Sequence, residues 1–138
     1  MKITYVITSL LLCSALAGCT SQPSAQTLTT DNLAKRGFSP ALATDLNPES
    51  QADIKKAIGR LSGKGLKHLP ANAFQNRSTL LLSHNIAPST EHPNGITIEH
   101  LPPYRFELFS NGSECVLAYH NNKTVSPLEN TQCLAMNN

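Results

Sequence analysis

The chain contains no tryptophan, and aromatic residues make up only 5% of its 138 positions. A core of this composition has to be built from Leu, Ile, Val and Ala. Phe38, Phe74, Phe106, Phe109, Tyr104 and Tyr119 are its few large pieces. Charge is scarce as well: Asp, Glu, Lys and Arg together reach 14%, the net charge is +2, and no run of one sign occurs. These absences exclude the basic, aromatic-interleaved stripe of a nucleic-acid binder and the charged tail that marks a polyelectrolyte partner. No Cys-x-x-Cys, Gly-x-Ser-x-Gly elbow or phosphate-cradling glycine loop is present, so neither an enzyme nor a bound cofactor is expected. The longest apolar stretch, Ile3 to Ala15, is diluted by hydroxyls and falls short of the ~20 apolar residues that span a bilayer. The length allows one domain.

What is present is concentrated at the N-terminus. Lys2 supplies a short positive region, Ile3 to Ala15 the apolar stretch, and Leu16-Ala17-Gly18-Cys19 follows. The layout suits a cleaved export signal over residues 1–18. Its last four residues resemble the lipobox of bacterial type II signal peptides: Leu, a small residue, Gly or Ala, then Cys. The resemblance implies cleavage between Gly18 and Cys19, and diacylglycerol joined by a thioether to the Cys19 sulfur. Each buried CH2 of such lipid contributes about 0.8 kcal/mol of anchoring. It implies further that Thr20, where inner-membrane lipoproteins carry Asp, sends the protein to the outer membrane of a Gram-negative cell.

The four cysteines sort by compartment. Cys13 leaves with the signal and Cys19 is consumed by lipid. Cys115 and Cys133 remain, and in an oxidising space they are expected to pair. The alternatives are two free thiols or half of a metal site.

Residues 19–30 read as the lipidated Cys and a polar tether, and 31–138 as a globular domain. A coil of the tether's length has an end-to-end span of about 18 Å, enough to let the domain stand clear of the headgroups. Ser39-Pro40 suggests a capped short helix or turn over Ala41 to Leu46. Asn47-Pro48-Glu49 repeats the device more clearly. Ile54, Ala57, Ile58 and Leu61 then follow at helical spacing, with Gly63 and Gly65 as the stop. Lys55, Lys56 and Arg60 fall on the solvated side.

Beyond the helix the period changes to two. Leu66 to Leu69 and Ser78 to Ser83 are expected as strands, joined through Pro70 to Arg77 with Phe74 as core anchor. The unbroken Leu80-Leu81-Leu82 suggests a central strand covered on both faces. Ile86 to Asn94 reads as a loop and Ile96 to Ile98 as a brief strand. Tyr104 to Phe109 alternates, Asn111-Gly112 marks a hairpin turn, and Cys115 to His120 alternates again. Asn121-Asn122 turns the chain into a third strand that Pro127 limits. The expected fold is therefore α+β: one antiparallel sheet with a C-terminal β-meander, packed with one or two N-terminal helices. Phe106-x-Leu108, Gly112-x-x-Cys115-x-Leu117 and Cys133 resemble a layout found in small lipoproteins of unknown function, which implies no activity.

His68, His84, His92, His100 and His120 invite a metal reading, but no two fall at i, i+2 or i, i+4. Ser83-His84 cannot form a dyad on one strand, because neighbours point to opposite faces. Glu99, Glu107 and Glu114 would pair only through the fold. No catalytic or metal residue is assigned. The expectation is a non-enzymatic binding or accessory module, held to the membrane by lipid on Cys19, with an envelope protein or the cell wall as partner. The alternatives are a periplasmic metal- or ligand-binding lipoprotein, and an inhibitor of an envelope hydrolase that projects the Tyr104 to His120 hairpin.

Overall fold

The computed structural model describes residues 27–86, 90–98 and 100–136. The signal, Gly18, Cys19 and tether residues 20–26 lie outside them. So does Glu99.

One long helix, α1 (Pro48–Ser62), starts and stops where its capping residues place it. The Asn47 side chain accepts the Ser50 N–H at 2.9 Å, and Gly63 closes the end at φ 71°, a left-handed position that favours glycine. Ile54, Ala57 and Ile58 are buried on one face, as the spacing predicts. Asn47→Ala should lower domain stability by about 1 kcal/mol through the orphaned first-turn N–H. Thermal melts of the two proteins check this.

The helix packs on a six-stranded antiparallel sheet whose path is β7-β6-β5-β1-β8, with β2 attached to β5. The strands are β1 (Ser39–Ala43), β2 (Thr79–Leu82), β5 (Tyr104–Ser110), β6 (Cys115–Tyr119), β7 (Thr124–Leu128) and β8 (Cys133–Ala135). A separate ribbon pairs β3 (Asn85–Ile86) with β4 (Ile96–Thr97). The α+β class and the β5–β6–β7 meander agree with the sequence reading.

Four local expectations are corrected. Ser39 to Ala43 is a strand, not part of a short helix. Its alternation puts Ala41 and Ala43 in the core, and its backbone is satisfied by residues far along the chain. Pro40 pairs with Phe109 of β5, while Ala41 to Ala43 pair with β8. Pro40, which has no N–H to give, sits where β1 passes from one partner to the next. Leu66 to Leu69 forms no strand; Leu66 and Leu69 pack singly against the core. β2 is an edge strand, not a central one, and Leu81 is 58% exposed. Ile86, expected in a loop, is paired with Ile96 in the small ribbon.

The strand covered on both faces is β6, all five of whose residues are buried. Cys115, Leu117 and Tyr119 face the helix layer with Phe106 and Leu108. Val116 and Ala118 face the other side, beneath Leu33 and Phe38. Those two come from the segment before β1, which makes two 3-10 turns (Thr30–Asn32 and Ala34–Arg36) ended by Gly37 at φ 81°. A thin N-terminal layer thus replaces any second helix. The packed unit also takes in Leu28, which lies against the Leu33 and Phe38 cluster, and Thr29, which bridges Thr124. Phe74 is the expected anchor. It is fully buried, adopts φ 60°, and its carbonyl accepts the Ala43 N–H at 2.7 Å.

Candidate functional site

The sheet curls so that β6 and β8 approach at one corner although two strands lie between them in the path. Cys115 and Cys133 are joined there by a disulfide, with Cα atoms 6.0 Å apart. The pairing expected from the cysteine count is the one found. Beside it opens a groove of about 800 Å3. Leu28, Phe38, Val116, Pro127 and Leu134 form its apolar walls, and Arg36 stands at its margin with Glu114 and Glu129. One end is the β5–β6 turn, where Asn111 Oδ1 accepts the N–H groups of Ser113 at 3.0 Å and Glu114 at 2.8 Å. Gly112 is at φ 92° in this turn, so the Asn-Gly signal is real, but the loop holds four residues between paired Ser110 and Cys115.

A second polar cluster lies elsewhere on the sheet, around the Glu107 carboxylate. Ser78 Oγ donates to it at 3.2 Å, His120 Nε2 lies 2.7 Å away, and Arg105 is at 3.6 Å. The residue types suggest a hydrolase, yet the connectivity is wrong. Serine catalysis needs the imidazole to take the hydroxyl proton and the carboxylate to orient the imidazole. Here the carboxylate sits in the middle, and the serine donates to it directly. The arrangement satisfies a mostly buried acid with donors from three segments.

A third place is the aromatic end of β5. His84 lies on Tyr104 with ring centroids 4.1 Å apart, and Lys64 lies over the same ring at 5.5 Å. His84 Nε2 is also 2.9 Å from the Pro102 carbonyl. Tyr104 also lines, with Leu66 and Asn85, a hollow of about 290 Å3. Tyr119, stacked on Phe106, has its phenol pushed above the usual tyrosine value, first by burial and then by Tyr104.

Glu114 is bonded to Asn111 at the turn, and His68, His92 and His100 are exposed. Among the described residues no three His, Cys, Asp or Glu side chains come together as metal ligands. No helix among them is long and apolar enough to cross a membrane. Sequence reasoning missed the groove altogether; its only linear signal was Leu28, an apolar residue inside a polar segment.

The described residues thus form a small disulfide-braced α+β domain with an open groove beside the disulfide. No family model matches the chain, and neither the curated proteins nor the solved structures contain a match to it. Function has to be read from its own residues.

Proposed function

We propose that this chain is a bacterial envelope lipoprotein, anchored through lipid on Cys19, whose domain serves as a non-enzymatic binding or accessory module. In a Gram-negative cell it faces the periplasm from the outer membrane. The observation that carries the reading is Leu16-Ala17-Gly18-Cys19, a complete lipobox at the end of an apolar stretch. The Cys115–Cys133 disulfide supports it, because such bonds persist in oxidising compartments outside the cytoplasm. An open groove with apolar walls, together with a serine, glutamate and histidine linked in a non-catalytic order, favours binding over chemistry.

The outer-membrane destination is tested at Thr20. In a Gram-negative host, the wild-type protein should co-sediment with outer membranes, and Thr20→Asp should move most of it to the inner-membrane fraction. An identical distribution of the two would contradict the destination. Release of the wild type into the soluble fraction would contradict the anchor.

A further inference from the structure

We infer that the sheet face opposite α1, at the corner where the chain enters the domain, docks onto the surface of the bilayer that holds the anchor. The inference rests on the lipoprotein reading and adds an orientation to it.

The entry point is fixed by Thr29, which bridges Thr124 in antiparallel sense, and by Leu28. Leu28 packs on the cluster of Leu33, Phe38, Val116 and Ala118, so the chain joins the domain on the face that α1 leaves uncovered. Two of the large exposed apolar side chains of the described residues stand on this face. Leu134 is 67% exposed and pairs with Leu42 across β1, and Met136 is 41% exposed, with its N–H on the Pro40 carbonyl. Side chains two residues apart on a strand share a face. Leu134 and Leu28 line the same groove.

Length selects the occupant. Between Cys19 and Leu28 run only Thr20 to Thr27, and eight residues can reach no further than about 29 Å in any conformation. A lipid on Cys19 therefore keeps this face in continual reach of the headgroups, at an effective concentration that makes weak contacts count. A diffusing protein partner has no such advantage. Lys35 and Arg36, both exposed, border the face, but Glu114 and Glu129 stand beside the same groove as Arg36. Attraction of this corner to lipid is accordingly apolar, and neither salt nor anionic lipid should change it much. The tether then acts as a short strap and not as a long leash.

The absence of tryptophan supplies the test. Leu134→Trp places a single reporter at the docking corner. Lys56→Trp places one on the exposed side of α1, and Met136→Trp is a second probe of the first position. Each lipidated full-length protein is reconstituted into phosphatidylcholine vesicles with brominated acyl chains. Emission at positions 134 and 136 should be quenched at least twofold relative to position 56, and high salt should not reverse it. Equal quenching at all three positions, with every protein floating with the vesicles, would overturn the docking and leave the anchor intact. Failure of every variant to float would overturn the anchor itself. Dimers in detergent with position 134 unquenched would assign the face to a second copy, again overturning the proposal.

Discussion

Replacing both Cys115 and Cys133 with alanine should lower the unfolding free energy by about 3 kcal/mol, a large part of the roughly 5–15 kcal/mol available to a small domain. The disulfide closes a loop with a sequence separation of 18, and the entropy removed from the unfolded chain by such a loop gives that figure. The folded state depends on the bridge locally too. β8 is three residues long and pairs only with β1 among the described strands. What else holds the approach to it is the continuation of the β1 pairing, where the Thr44 N–H donates to the Gln132 carbonyl at 3.0 Å, and Asp53 on α1, whose buried carboxylate accepts from the Asn130 N–H at 2.9 Å and the Thr131 hydroxyl at 3.0 Å. Loss of the bridge should therefore do more than shift a melting curve. Amide protection in β8 should fall to the level of exposed turns, while β5 and β6 keep theirs until global unfolding. Urea melts give the first number, and hydrogen exchange separates the local part from the global one. A loss below about 1 kcal/mol with β8 still protected would show that Asp53 and the β1 pairing hold this corner unaided.

The parts of the fold visible in the sequence are those determined locally. Asn47 and Gly63 bound α1 because capping involves residues within one turn of each other. The β5–β6–β7 meander was visible because its alternation and both its turns are continuous in the chain. Ser39 to Ala43 is a strand although the local cues, Ser-Pro ahead of two alanines, favour a helical turn over Ala41 to Leu46. Its strand conformation is decided by Phe109 and Leu134, far away in sequence. Leu80 to Leu82 lies at an edge, and not in the centre of the sheet, for a related reason. Whether a strand is covered twice depends on what lies above it, and the covering piece for β6 is Leu33 and Phe38, from a stretch without helical or strand periodicity. Of the candidate site, the disulfide was legible because elimination leaves one pairing. The groove was not, since Leu28, Phe38 and Leu134 share no motif and meet only when the sheet curls.

On the proposed lipoprotein reading, Cys19→Ser should have the largest effect of any single substitution. A thioether to diacylglycerol needs the thiol, and in the lipoprotein pattern cleavage before Cys19 follows lipid attachment. The variant should accumulate with residues 1–18 still attached and without lipid, at whatever level its folded domain allows. Domain stability should be unchanged, since the core formed by the described residues is built from Leu28 onward. The most direct measurement is the intact mass of the protein extracted from membranes with detergent. The lipoprotein reading predicts a chain beginning at Cys19 and heavier than its peptide mass by a diacylglyceryl group and further acyl chains. A mature chain at its bare peptide mass, or Cys19→Ser cleaved at the same bond as the wild type, would contradict it.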